Sequence, residues 1–276
     1  MGHPQIAAFA RLANGNAKAT RSFSGQNTLM TRDIHDIAYN PNTDEIVIPQ
    51  RYAQAILTYR GAATGNEAPI RVIRGPHTQI TNPWRLALDP IHKEVFIPEN
   101  DHVLVFSSEA DGNVAPLRIL KGPDTQLGAS ALEVDPVHNL LIVSGLHRGE
   151  SGRIEGGHLL IFNRTDEGNA KPRAVITGPK THISGGDGIV RVYPQREEIL
   201  LTVHSDTFTA RSSPENFVGV WSFQDNGDVA PRWTIGGPNG LLRQARGIAL
   251  DPKSKTVMIS DKFLGAIFTY YFPEIF

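Results

Sequence analysis

Two histidine–carboxylate neighbours stand out among the ionisable residues: His35 beside Asp36, and His204 with Asp206 two positions on. An imidazole titrates near pH 6.5 and an adjacent carboxylate can fix its tautomer, so either pair could serve as a general base. Such pairs also arise by chance, and the competing reading is a histidine capped by a neighbouring acid. Trp84 and Arg85 offer another chemistry, an aromatic face for stacking next to a guanidinium that can clamp a sugar acid, lactone or carboxylate. The alternative has Trp84 filling space and Arg85 paired with Asp36 or another acid. Glu99, Asn100, Asp187 and Asp261, with Asp36 and Asp206, could supply several of the about 6–8 oxygens that Ca²⁺ requires. Zn²⁺ would instead draw on His35, His147 and His204, with one position open for water. Against one such divalent cation stands the reading in which these groups bond to one another and to ordered water. His147 and Lys262 join Trp84 and Arg85 as candidate contacts to a small-molecule ligand.

These residues are spread along the chain, so a repeat must gather them. Gly-Asn or Gly-Asp turns recur at Gly15-Asn16, Gly65-Asn66, Gly112-Asn113, Gly168-Asn169 and Gly227-Asp228. A second mark, Asp-Pro or a variant, recurs at Pro41, Pro90, Pro136, Pro194 and Pro252, at intervals of 46 to 58 residues. Between the marks lie short runs rich in Val, Ile and aromatics, four to a repeat, which is the pattern of a four-stranded antiparallel blade. With strands labelled a to d from the axis outward, the Asp-Pro strand is a and the strand after the Gly-Asn turn is d. Blades bury their faces only against neighbours, so the units should close into a ring. Five a strands predict an all-β propeller of five blades, with six as the alternative. The expected unit is a single domain over residues 1–276, closed by N-terminal strand joining the last blade. One c-type strand is left over.

The topology sorts the sequence by face. In each blade the d-to-a and b-to-c connections share one rim, where His35, Asp36, Trp84, Arg85 and Asp187 fall at the starts of a strands. Gln50, Glu99, Asn100, His147, His204, Asp206, Asp261 and Lys262 fall at or just past the ends of b strands. The b-to-c connections are short at 49–54 and 98–102 but long at 145–158 and 204–217. Long, variable loops on one face of a rigid scaffold are where binding and catalysis concentrate, and these two are expected to form a lid. The recurrent arginines Arg71, Arg118, Arg173 and Arg232 read as charges protecting an outer edge strand.

The series Gly-Asn-x-x-Pro-x-Arg-x-Ile-x-Gly-Pro, then Ile-Ala-Leu-Asp-Pro, resembles the NHL-repeat type of bacterial β-propeller over essentially the whole chain. The resemblance implies a blade and does not specify a reaction. The wider group includes lactone- and ester-cleaving enzymes with a divalent metal on Glu, Asn and Asp, an amidating lyase with zinc on histidines, and non-catalytic scaffolds.

Composition narrows the field further. Lys+Arg 27 against Asp+Glu 28 gives no net field to draw a polyanion, so nucleic acid is not an expected partner. No apolar run approaches the ~20 residues of a membrane span, and no membrane partner is expected. The absence of cysteine removes disulfides, thiolate metal sites and cysteine nucleophiles. The chain reads as soluble, cytoplasmic as it stands, or exported if a leader has been removed. Two functions follow: a small-molecule hydrolase or lyase working with metal or His/Asp assistance, or a non-catalytic propeller binding a peptide, glycan or protein on the same face.

Overall fold

The structure, a computed structural model, describes residues 4–149, 151–184, 188–204, 216–237 and 240–276. Strand β1 (Gln5–Ala8) pairs with β2 (Arg21–Ser24) as a two-stranded antiparallel sheet, which gives the left-over c-type strand a partner. Four complete blades follow, each with its strands in consecutive order. The first is β3 (Ala38–Asn40), β4 (Glu45–Gln50), β5 (Ala55–Arg60) and β6 (Arg71–Arg74). The second is β7 (Ala87–Asp89), β8 (Glu94–Pro98), β9 (His102–Ser107) and β10 (Arg118–Lys121). The third comprises β11 (Ala129–Asp135), β12 (Leu140–Arg148), β13 (Ile154–Asn163) and β14 (Ala174–Thr177), and the fourth β15 (Val190–Tyr193), β16 (Glu198–Val203), β17 (Phe217–Ser222) and β18 (Trp233–Gly236). A three-stranded fifth blade holds β19 (Ala245–Asp251), β20 (Thr256–Asp261) and β21 (Ala266–Tyr271). The five a strands β3, β7, β11, β15 and β19 give the five blades that the Asp-Pro marks predict. No helix among the described residues is long and apolar enough to cross a membrane.

Chain contacts divide the fold into two compact units, residues 1–99 with 104–118, and residues 100–103 with 119–276. In the first, Phe23, Ile48, Leu57 and Tyr59 belong to a buried apolar cluster. In the second, Ile142, Ile161, Leu201 and Trp221 lie in one such cluster, and Val220, Ile248 and Ile259 in another. Alternation along each strand turns these residues to the blade faces, where burial removes about 1.5–3 kcal/mol of apolar exposure per side chain.

The Gly-Asn turns have a job that periodicity alone does not reveal. In the third blade, Gly168 exchanges backbone hydrogen bonds with β10, its N–H donating to the Ile119 carbonyl at 2.8 Å and its carbonyl accepting from Lys121 N–H at 2.8 Å. Next to it, the Asn169 side chain accepts from Asp124 N–H at 2.8 Å. Gly65, Gly112 and Gly227 repeat the exchange with the preceding d strand, and Asn66, Asn113 and Asp228 repeat the side-chain bond. Strands β2, β6, β10 and β14 are thereby each clasped to the next repeat. The glycine that follows each of these four strands faces the clasping side chain: at Gly122, with φ 142°, an added Cβ would lie 2.3 Å from Asn169 Oδ1. The chain then enters a single 3₁₀ turn, as at Pro123–Thr125, whose buried threonine hydroxyl donates to the Gly122 carbonyl at 2.6 Å.

Two expectations about the blades change. The d-strand arginines of the first two blades are not solvent-facing edge charges. Arg71 donates to Glu45 at 2.7 Å, and Arg118 makes a bidentate pair with Glu94 at 2.6 and 2.9 Å, all four side chains being largely buried. The glutamate is the first residue of strand b, so the arginine ties d back across c. Nor is the 145–158 insertion a loop: β12 and β13 simply run on, pairing as far as Arg148 with Ile154 across a bulge. The second insertion, 204–217, lies mostly outside the described residues.

Candidate functional site

The last position of strand b carries the first repeated polar feature. Gln50 and Asp261 are buried there, as is Glu99 one residue past the end of β8, and each accepts hydrogen bonds from the d-to-a loop of its own blade. Gln50 accepts from Thr31 N–H at 2.6 Å and from its hydroxyl at 2.9 Å. The Glu99 carboxylate accepts from Thr81 N–H at 2.9 Å, the Thr81 hydroxyl at 2.5 Å and Asn82 N–H at 2.9 and 3.0 Å. Asp261 accepts from the amides of Arg243 and Gln244 at 2.6 and 2.8 Å, and from Leu264 N–H at 3.0 Å. Carboxylates expected as cation ligands are thus found as loop clamps. Among the described residues no three His, Asp or Glu side chains form a metal-binding group. Because Gln50 performs the same task uncharged, Glu99→Gln should keep the fold and lose only about 1–2 kcal/mol, the difference between a charged and a neutral acceptor. Urea denaturation at pH 7 measures it; a loss above about 4 kcal/mol would contradict the clamp.

The clamp on Glu99 leads outward to a connected cationic and aromatic cluster in the first unit. Asn82, whose amide Glu99 holds, accepts through Oδ1 from Arg51 Nε at 2.6 Å. The Arg51 guanidinium lies 3.9 Å from the Trp84 ring centroid and 5.5 Å from that of Tyr52. Arg32 covers the Tyr52 ring at 5.6 Å. His35 packs on Trp84 with ring centroids 4.2 Å apart, and its Nε2 is 3.9 Å from Asp33 Oδ1. The Tyr52 hydroxyl, and after it the positive charges of His35, Arg32 and Arg51, hold the exposed Asp33 carboxyl below the usual carboxylate range. One carboxylate therefore faces two guanidiniums and an imidazole.

Behind this surface, Arg85 is 5% exposed and donates to the His35 carbonyl, while Asp36 accepts from Ile37 N–H at 2.9 Å and Leu86 N–H at 3.2 Å. Arg85 and Asp36 thus brace the two loops that present His35 and Trp84. Of the residues expected from sequence, His35, Asp36, Trp84, Arg85 and Glu99 are brought together in this unit. Arg32, Arg51 and Tyr52 are additions. Arg51-Tyr52 opens the b-to-c turn of the first blade, and its placement on the same rim as Trp84 was the available signal.

The remaining candidates lie in the second unit. Asn100 is exposed at φ 60°, its carbonyl accepting from Ala129 N–H at 2.6 Å, which makes it a turn residue. Lys262 is exposed, its N–H bonded to the Gln244 carbonyl at 3.0 Å. His204 is buried at the end of strand β16. Half-buried His147 has its ring 6.0 Å from that of His158, centroid to centroid. Asp187 and Asp206 lie outside the described residues. His158 escapes a sequence reading because it opens the apolar run His158-Leu-Leu-Ile-Phe, where it looks like the end of a loop.

No family model matches the sequence, and no curated protein matches it. Solved structures do. Hydrazine synthase of Kuenenia stuttgartiensis superposes with a TM-score of 0.57 at 10% identity, over 91% of this chain and 58% of that one. The WD40 β-propeller domain of Doa1 gives 0.51 at 10% identity, over 90% of this chain and 71% of that domain. The fold is a β-propeller. At such identity the likeness is one of fold alone, and the propeller spans less than two-thirds of the hydrazine synthase chain.

Proposed function

We propose that the chain is an NHL-like, ligand-binding propeller that recognises an acidic sugar or sugar acid on the face built by Arg32, Arg51, Tyr52 and Trp84. The observation that carries this reading is the stacking of Arg51 on two aromatic rings, with Arg32 on the far ring. Stacking holds a guanidinium flat and leaves its edge N–H groups available for bidentate bonding to a carboxylate. Aromatic faces alongside suit the apolar face of a sugar ring. Tyr52 is 54% exposed, so the surface is open to a ligand of glycan size. The gathering of side-chain acceptors onto backbone amides favours recognition over a metal-assisted reaction at this rim.

The test is calorimetry with a hexuronate oligosaccharide. Arg51→Ala should weaken binding by about ten- to a hundredfold, as expected for a stacked bidentate anchor worth about 1.5–3 kcal/mol. Arg85→Lys, altering a brace behind the surface, should do less. Equal affinity of wild type and Arg51→Ala would overturn the reading.

A hydrolase or lyase is the second reading, and the observation favouring it is a histidine in the third blade. A basic catalyst needs a neutral imidazole, and burial, with the nearby His147, pushes His158 down to about 4.

A further inference from the structure

His158 is 1% exposed, and neither of its ring nitrogens has a partner among the described residues. A neutral imidazole carries one donor and one acceptor, so burying both bare is unfavourable unless something outside the protein chain meets them.

The repeat explains how the vacancy of partners arises. In the first and fifth blades the loop-clamping residue ends strand b and faces a small residue on strand c, Gln50 opposite Ala55 and Asp261 opposite Ala266. The third blade reverses the sizes, with Gly145 opposite His158. Glycine at 145 lets the d-to-a loop dock by backbone alone: Leu146 N–H donates to the Gly128 carbonyl at 3.1 Å, and a Cβ on Gly145 would lie 2.1 Å from that oxygen. The imidazole occupies the clamp's place without doing the clamp's work.

The same face of the hairpin carries a second imidazole. Residues 145 and 147 share a side of β12, 156 and 158 share a side of β13, and the register sets His147 opposite Gly156. Two histidines thus lie diagonally across the strand pair with a glycine opposite each.

We propose that His147 and His158 bind one divalent transition-metal ion, of the zinc or nickel class, on this face of the β12–β13 hairpin. An ion bonded about 2.0–2.1 Å from an imidazole nitrogen sits roughly 3 Å from that ring's centroid. With the two nitrogens about 110° apart on a tetrahedral ion, that length puts the centroids about 5 Å apart, so the observed 6.0 Å closes onto one ion with a small rotation of the half-buried His147 ring. Imidazole ligates such ions through a neutral ring nitrogen, and both nitrogens of buried His158 lack a partner among the described residues. Half-buried His147 supplies the way in from solvent, and water completes the coordination shell. The hard-cation alternative is disfavoured by the chemistry of the pair, since Ca²⁺ and Mg²⁺ take oxygen ligands.

This site is independent of the acidic-sugar face, and neither proposal's failure touches the other. The experiment is calorimetric titration of the tag-free, chelator-stripped full chain with Zn²⁺, paired with long-range ¹H–¹⁵N spectra of the histidine rings. One equivalent should bind and shift the ring nitrogens of two histidines. His147→Ala and His158→Phe should each weaken binding by about tenfold or more, while His77→Ala, removing an exposed imidazole elsewhere, should not. Phe217 already occupies the position equivalent to His158 in the fourth blade, facing Val203, so His158→Phe should fold; thermal melts in chelator check both variants. Overturning results are an absence of saturable Zn²⁺ binding tighter than about 100 µM, or binding that survives both substitutions.

Discussion

Gly122→Ala should be strongly damaging, lowering stability by about 3 kcal/mol or more. Gly122 sits at φ 142° and ψ 167°, a region that essentially only glycine occupies and that costs of order 1–3 kcal/mol for other residues. The new Cβ would also lie 2.3 Å from Asn169 Oδ1 and 2.7 Å from its Cγ, so the clasp between successive repeats must open. Loss of the Asn169 bond to Asp124 N–H adds about 1 kcal/mol. Gly168→Ala is the matched comparison. Gly168 is also in the left-handed region, at φ 58°, but a Cβ there meets nothing within 4 Å. Its cost should stay near the intrinsic ~1–2 kcal/mol of that backbone conformation. Denaturant midpoints of the two variants decide the matter; equal losses would show that the clasp contributes nothing.

Two glutamates at the same strand position should respond to the same substitution with opposite sign. Glu45 and Glu198 each open strand b of their blade. Glu45 is bonded by Arg71 at 2.7 Å and by the Thr43 hydroxyl at 2.9 Å, and the Arg71 hydrogen bond, ahead of Thr43, holds its carboxyl below the ordinary value of 4.5. In the fourth blade Trp233 holds the position of Arg71, and the neighbouring Arg232 turns to Asp225 at 3.0 Å. Glu198 is left with a buried Oε2 that has no partner among the described residues, and burial pushes its carboxyl up.

The folded state therefore binds fewer protons than the unfolded state at Glu45 and more at Glu198. By linkage, the Glu45 contribution is present above pH 4.5 and is lost as pH falls through its lowered folded value. The Glu198 carboxyl is well accommodated below pH 4.5 and destabilises as pH rises through its raised folded value. At pH 7, Glu45→Gln should cost about 1–3 kcal/mol and Glu198→Gln should be neutral or stabilising by about 1 kcal/mol. Both differences should shrink towards pH 4. Urea titrations at pH 7 and pH 4 test this, and a destabilising Glu198→Gln at pH 7 contradicts it.

Repeat chemistry was the legible part of this chain. Turn residues mark the backbone directly, so Gly-Asn and Asp-Pro spacing counts five a strands and places the four runs of each blade. What the turns hold is a relation between repeats distant in sequence, and no local pattern shows that Asn169 reaches Asp124. The arginines of strand d misled for the same reason: their partner, the glutamate opening strand b, lies 24 to 26 residues earlier. Rim placement by topology named His35, Trp84 and Glu99, which the first unit links through Arg51 and Asn82. It could not separate a carboxylate that clamps a loop from one that awaits a ligand, because that depends on which backbone amides point at it. Arg51 and Tyr52 lacked any motif and become conspicuous only when Trp84 is seen beneath the guanidinium.

The most direct test of the recognition face pits a charged ligand against its uncharged twin. A hexuronate tetrasaccharide and its fully methyl-esterified form share rings and linkages and differ only in carboxylate charge. Calorimetry in buffered physiological salt should show wild-type protein binding the acid and ignoring the ester, with Arg32→Ala and Arg51→Ala each reducing affinity for the acid. Equal binding of acid and ester, or binding of neither, would contradict the assignment of this face to an anionic sugar.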